Sequence, residues 1–274
     1  MDKKTRALLL GGAALVCLPL CAVAPGRVTG RQKAPFDGVN FAHRGLHSRD
    51  KTVPENSLAA FRLAAQAGYG IELDVQLSKD GEVVVFHDDT LNRVCGVDAR
   101  VDALTLEELR TLRLCGTEER IPLFTEVLSV INGRGPLIVE LKNGPRNREL
   151  CEKTNRILST YRGDVCIESF NPLIVAWFSV HEPHLLRGQL ATTIKNYAED
   201  DVTGVKAFLL HNTLLNFLAR PQFIAYRIGP RPPLVHFCEA MGAMKFCWTS
   251  HEPRNEKGQD GVIFEFYRPK LKFK

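Results

Sequence analysis

The stretch "IELDVQLSKDGEVVVFHDD", residues 71–89, alternates apolar and polar residues on either side of Lys79-Asp80-Gly81. Asp-Gly between two alternating runs is a strong hairpin signal. The break is also far too short for a crossover between parallel strands. Glu72 and Asp74 lie two residues apart, so they share one face of the first strand. Buried there, each carboxylate costs roughly several kcal/mol unless something pairs with it. A two-residue turn on Asp80-Gly81 sets Asp74 opposite His87 and Glu72 opposite Asp89; a three-residue turn shifts that register by one. Taken alone, the stretch reads equally well as a solvent-facing hairpin with ordinary charged pairs.

Around it, strands and helices alternate from Val39 onward. The strands read as Val39–His43, Ile71–Val75, Leu137–Leu141, Val165–Ser169, Leu185–Leu190, one of two apolar runs around Leu209 or Ala225, Phe246–Trp248 and Val262–Phe266. Helical segments fall between them, among them "NSLAAFRLAAQAG", with a cap at Asn56 or Ser57 and a stop at Gly68. That alternation implies parallel strands with crossover helices. Eight strands predict a single (β/α)8 TIM barrel over about residues 38–270, with the hairpin as an extension of the second strand and chemistry at the C-terminal strand ends.

The 274 residues carry 45% hydrophobic and 24% charged side chains, enough apolar material for one full core. The net charge of +5 gathers at the two ends, Lys3-Lys4-Arg6 and Arg268-Lys270-Lys272-Lys274, without aromatic-basic interleaving, so nucleic-acid binding is not expected. "MDKKTR" precedes an uncharged run from Ala7 to Ala24, the pattern of an export signal or a membrane anchor within residues 1–30. Pro25, directly after the small-residue site Ala22-Val23-Ala24, opposes cleavage. The expectation is an N-terminal hydrophobic helix retained as an anchor, with the catalytic part outside the cytoplasm, or else secretion. The eight cysteines show no zinc spacing; Cys95 and Cys115 flank one loop-rich segment where a bridge is an open question.

Reactive groups recur at the strand ends: His43-Arg44 on the first, Glu72 and Asp74 on the second, Glu140 and Lys142 on the third, Glu168-Ser169 on the fourth. Three carboxylates, Glu72, Asp74 and Glu140, suit a hard oxygen-seeking cation, Mg²⁺ or Ca²⁺. Two histidines, His43 and His87, offer an acid and a base near neutral pH. Arg44 and Lys142 offer positive charge to a phosphate. Together they describe metal-assisted cleavage of a phosphodiester.

"AHRG", "PENSLAAFRLAAQAG", "IELDVQLSKDGEVVVFHDDTLNR", "IPLFTEVL", "IVELK" and "SFNP", in that order, resemble the glycerophosphodiester phosphodiesterase family, and Trp248 in "FCWTS" matches its late tryptophan. The resemblance runs from about Phe41 to Trp248. It implies a TIM barrel with a hairpin insertion and one divalent cation. It also implies hydrolysis of glycerophosphodiesters to glycerol 3-phosphate and an alcohol. By position, His43 and His87 are then the acid-base pair, Glu72, Asp74 and Glu140 the metal ligands, Arg44, Lys142 and Trp248 substrate contacts, and Glu55 a supporting acid. The implied route uses the substrate's own 2-hydroxyl as nucleophile and passes through a cyclic phosphate. "IFEFYRP" departs from the family's acid-containing ending and "WTS" from its usual "WTVN", so the leaving-group alcohol is the part least defined. The rivals are a related enzyme acting on lysophospholipid or glycerol-phosphate polymer, and a non-catalytic barrel that binds phosphodiesters.

Overall fold

The structure, a computed structural model, describes residues 19–199 and 201–274. Nine strands form one sheet: β1 (Val39–Ala42), β2 (Gly70–Leu77), β3 (Val83–Val85), β4 (Leu137–Leu141), β5 (Val165–Ser169), β6 (Leu186–Ala191), β7 (Phe223–Arg227), β8 (Met244–Ser250) and β9 (Gly261–Phe264). All but β3 run parallel in the order β1-β9-β8-β7-β6-β5-β4-β2, and β1 pairs with β2 to close the barrel. Helices include α1 (Leu58–Ala67), α2 (Phe124–Ile131), α3 (Asn147–Leu158), α4 (Pro172–His181), α5 (Ile194–Glu199), α6 (Gly204–His211), α7 (Asn216–Ala219) and α8 (Pro233–Ala240). Ser57 caps α1 through the Ala60 N–H, and Gly68, at φ 80°, ends it. Of the two competing apolar runs, the one around Ala225 is the strand; the one around Leu209 forms α6.

Because side chains alternate along a strand, each barrel strand divides its residues between two cores. Leu73, Val75, Val139, Leu141, Ile167, Val262 and Phe264 point outward and pack against residues of α1, α2 and α4. Val39, Phe41, Ile138, Cys166, Phe223, Phe246 and Ile263 belong to a second cluster, which fills the barrel. Its rings form a floor, Phe36–Phe41–Phe246–Phe223, with successive centroids 6.3, 5.8 and 4.6 Å apart. The next inward residue on each of several strands lies above this floor. Those residues are His43, Glu72 and Asp74, Glu140, Glu168, Arg227, Trp248 and Glu265. The barrel thus places its chemistry one inward position beyond its apolar filling.

The hairpin corrects the two-residue-turn register. Val75 pairs with Val85, Gln76 with Val84 and Leu77 with Val83, so Asp74 stands opposite Phe86, whose N–H donates to the Asp74 carbonyl at 3.1 Å. The turn is Lys79-Asp80-Gly81, with Gly81 at φ 84° and the Ser78 hydroxyl accepting from the Glu82 N–H at 2.9 Å. A glycine in the left-handed region at its third position is what a three-residue hairpin loop needs. Gly81→Ala is expected to cost about 1–2 kcal/mol in urea unfolding, the penalty for a Cβ in that conformation; an unchanged midpoint would show the turn relaxes freely.

At the other end, Val23 is fully buried beside Ile224, Tyr226 and Val235. The Asn216 amide donates to the Val23 carbonyl at 3.3 Å, and Arg220 donates to the carbonyls of Cys21 and Ala24. Most of the expected N-terminal hydrophobic helix lies outside the described residues. No helix among the described residues is long and apolar enough to cross a membrane. Cys95 and Cys115 are both free thiols.

Candidate active site

The acids come together by register. Asp74 of β2 sits beside Glu140 of β4, and Glu140 beside Glu168 of β5. Glu72, Asp74 and Glu140 bring one oxygen each within 4.8 Å of one another, and all three are buried. Arg44 follows β1 at φ 53°, a conformation few side chains adopt. That bend delivers its N–H to Glu72 Oε2 at 3.0 Å. Its guanidinium reaches Glu55 at 2.6 Å and approaches Asp74 at 3.4 Å. Asn56 Nδ2 donates to Asp74 Oδ2 at 2.9 Å, and Lys142 Nζ to Glu140 Oε1 at 2.8 Å.

Burial raises the Glu72 carboxyl well above the ordinary range, and the charges of Asp74, Glu140 and Glu168 push it further. Burial likewise raises Glu140 and Glu168. For Asp74, burial works upward too, but His87, Lys142, Arg44 and the Asn56 amide together hold it well below the usual value. Four buried acids thus face two fixed cations, Arg44 and Lys142. Asp74 Oδ1 and Glu168 Oε2 are buried without a hydrogen-bond partner. An all-carboxylate donor set, negative in excess and with orphaned oxygens, fits a hard divalent cation such as Mg²⁺ or Ca²⁺.

Both sequence-expected histidines reach this site, each fixed by a carboxylate. His43 Nδ1 bonds Glu265 Oε2 at 3.1 Å, and its Nε2 lies 3.9 Å from Glu72. His87 Nδ1 bonds Asp88 Oδ1 at 2.6 Å. A carboxylate accepts only, so each Nδ1 donates and each Nε2 keeps its lone pair while the ring is neutral. Burial, with help from the Arg44 charge, lowers His43 to a pKa of about 4, against the pull of Glu265. His87 reaches the site although Phe86, not His87, faces Asp74, because the ladder ends at Val85. Gln76 Nε2 then donates to the carbonyls of Phe86 and Asp88, at 2.8 and 2.9 Å, and clamps the chain on both sides of His87.

The chain matches the model of the glycerophosphoryl diester phosphodiesterase family over residues 43–267. A glycerophosphodiester phosphodiesterase from Caldanaerobacter subterraneus is 32% identical over 241 residues, covering 81% of this chain and 92% of that protein. The chain belongs to the glycerophosphoryl diester phosphodiesterase family. Among solved structures, an Oleispira antarctica phosphodiesterase in complex with its product sn-glycerol 3-phosphate superposes with a TM-score of 0.68 at 25% identity, covering 85% of this chain and 94% of that one. A Thermotoga maritima glycerophosphodiester phosphodiesterase gives 0.61 at 26% identity, covering 82% and 93%. The reaction is hydrolysis of a glycerophosphodiester to glycerol 3-phosphate and an alcohol.

In this phosphodiesterase the site opens into a cavity of about 1250 Å³ lined by His43, Arg44, Glu72, His87, Glu140, Lys142, Glu168, Trp248 and Glu265. Trp248 is held by its indole N–H on the Ala225 carbonyl at 3.0 Å and lies edge-on to Phe170, with centroids 5.7 Å apart. Glu55 stays outside the acid cluster and joins Arg44 to Arg93, which in turn grips Asp88. Three residues of the site were not singled out from sequence: Asp88, Gln76 and Glu265. Glu265 was legible in principle. It follows Ile263 by two on β9's inward face, as His43 follows Phe41 on β1. Its histidine partners, above all His43 and His47, hold its carboxyl far below the usual range against the effect of burial. Glu265→Gln preserves shape but replaces the charged, acceptor-only carboxylate with an amide whose NH₂ can face the ring and permit the other His43 tautomer, and is expected to lower kcat about tenfold or more. Unchanged kcat with normal folding would remove Glu265 from the machinery.

Proposed function

We propose that His43 and His87 carry the hydrolysis between them, on a substrate held by Arg44, Lys142 and Trp248 above Glu72, Asp74 and Glu140. His43, neutral at pH 7, takes the proton of the substrate's glycerol 2-hydroxyl on Nε2 as that oxygen attacks phosphorus. His87, entering this step as the imidazolium with both ring nitrogens protonated, gives its Nε2 proton to the departing alcohol oxygen as the P–O bond breaks. The product of this step is a cyclic glycerol phosphate. Water opens it with the roles exchanged: His87 takes the water proton, and His43 returns its own to the 2-oxygen. A divalent cation held by the three acids, when bound, supplies positive charge to the phosphoryl oxygens. The observation that carries this reading is that two histidines, each with Nδ1 locked onto a carboxylate, share one cavity with a buried acid triad.

A second reading of the substrate has its own support. The cavity is far larger than a glycerophospho-alcohol needs, and its distal wall is apolar: Leu173, Tyr197, Val202, Leu210, Leu215 and Leu218. Such a wall suits a substrate whose glycerol carries an acyl chain, as in a lysophospholipid, with the head-group alcohol still the group that departs. A Rattus norvegicus lysophospholipase D is 31% identical over 164 residues, spanning half of that protein. Turnover of glycerophosphocholine, lysophosphatidylcholine and glycerol-phosphate polymer by the full chain, with and without EDTA, separates the readings. Activity on the first two that EDTA abolishes is expected. No metal-dependent turnover of any of them would leave a phosphodiester-binding barrel.

For location, the proposal remains a retained N-terminal anchor with an extracytoplasmic catalytic barrel. Cleavage after Ala24 would strip Val23 from its buried seat, which favours retention. Intact-mass analysis of the membrane fraction decides it: a mass lacking residues 1–24 overturns retention.

A further inference from the structure

A second group of ligand-type side chains stands at the rim of the site, and its chemistry differs from that of the acid triad. Glu265 Oε2 lies 3.1 Å from His43 Nδ1 and 3.2 Å from His47 Nε2, and Glu265 Oε1 lies 3.8 Å from His251 Nε2. The His43, His47 and Glu265 ligand atoms all fall within 4.8 Å of one another. Three different segments bring them together: the end of β1 and its following turn, the loop after β8, and the residues after β9. Phe266 contacts both outer rings, edge-on to His47 at 4.9 Å and stacked on His251 at 5.9 Å. The two peripheral imidazoles are therefore braced on the same aromatic side chain.

We propose that these residues form an inhibitory Zn²⁺ site. Imidazole nitrogen with one carboxylate oxygen is a zinc donor set, whereas the all-oxygen triad suits Mg²⁺ or Ca²⁺. A tetrahedral zinc with bonds of about 2.0–2.1 Å separates its ligand atoms by about 3.3–3.4 Å. The two imidazole spacings to Glu265 Oε2, 3.1 and 3.2 Å, are already close to that, whereas His251, 3.8 Å from the other carboxylate oxygen, moves in to complete the site. The imidazoles bind neutral, each keeping its one proton on the nitrogen away from the metal. For His43 that consequence is decisive. Zinc on Nδ1 leaves the proton on Nε2, the atom that must accept the substrate's proton. The inhibition rests on His43 being the general base; the binding does not.

The test separates those two parts. In the full chain carrying Glu72→Gln and Asp74→Asn, which disable the acid triad, calorimetric titration with ZnCl₂ is expected to show one site. Adding His47→Ala is expected to weaken it at least about tenfold, as loss of a ligand should exceed the roughly 10–100-fold cost of losing an outer-shell partner. Absence of zinc binding, or binding indifferent to His47→Ala, overturns the site. Should the double variant fail to fold, Co²⁺ added to Mg²⁺-saturated wild type provides the same answer. Tetrahedral d–d bands that His47→Ala removes support the site, and their absence overturns it. In the assay with saturating Mg²⁺, Zn²⁺ is expected to inhibit wild type, and His251→Ala to raise the inhibiting concentration about tenfold. Zinc that binds through His47 yet leaves turnover intact keeps the site but refutes His43 as the base.

Discussion

His87→Ala is expected to lower kcat for glycerophosphocholine by about 10²–10⁴-fold, the range for losing a positioned general acid or base. The ring is about a third exposed, so its loss leaves no sealed cavity in the core. Its partners stay in place without it: Asp88 remains gripped by Arg93, and Gln76 binds backbone carbonyls on either side. Thermal stability should therefore stay near wild type, and KM should change far less than kcat, because the phosphate contacts assigned to Arg44 and Lys142 are untouched. A leaving group of low pKa, such as p-nitrophenol, needs no proton as it departs. Glycerophosphoryl p-nitrophenol should thus suffer less in the first step than glycerophosphocholine. Full turnover of glycerophosphocholine by the purified variant would remove His87 from catalysis. An equal loss on both substrates would place it elsewhere than at the leaving group.

Much of this site was legible in the chain because alternation fixes side-chain direction. Glu72 with Asp74, Phe41 with His43, and Ile138 with Glu140 each follow the two-residue period, so the strand assignment by itself gathered acids and a base at one end of the barrel. The hairpin register was less legible. Asp-Gly serves both two- and three-residue turns, and the left-handed Gly81 together with the Ser78 hydroxyl selects the longer one. The run around Leu209 looked like a strand because a short apolar segment carries no usable period. It forms α6, whose Leu210 contributes to the apolar wall. Gln76 acts through contacts across the hairpin, and Asp88 through its neighbour His87 and Arg93, and no apolar–polar period announces either. Glu265 was hidden because its segment departs from the family's ending; an acid is present there, carried by a different pattern.

The acid triad leads to a prediction whose sign reverses with the metal. Glu72→Gln keeps the size of the side chain and an oxygen for the Arg44 N–H, but removes one charge from the cation's donor set. With Mg²⁺ or Ca²⁺ present, activity is expected to fall at least about 10²-fold, since losing a direct ligand should cost no less than losing an outer-shell partner. EDTA treatment of wild type should abolish turnover similarly. Without metal the order of stability inverts. In wild type, burial and the charges of Asp74, Glu140 and Glu168 raise the Glu72 carboxyl, so its ionised form strains the folded state at neutral pH. The glutamine lacks that strain, and in EDTA the variant should be more stable than wild type by at least about 1 kcal/mol. The pH dependence follows from the same sign. A carboxyl raised on folding destabilises the protein above its folded pKa, and the penalty disappears as falling pH protonates it. The advantage of Glu72→Gln in EDTA should therefore be largest near pH 7 and shrink toward the ordinary carboxylate range. Paired urea titrations of both proteins, with EDTA and with saturating Ca²⁺, measure the two orders. A variant less stable than wild type under both conditions would mean that Glu72 is held by the protein alone, and the acids would then need another explanation than a cation.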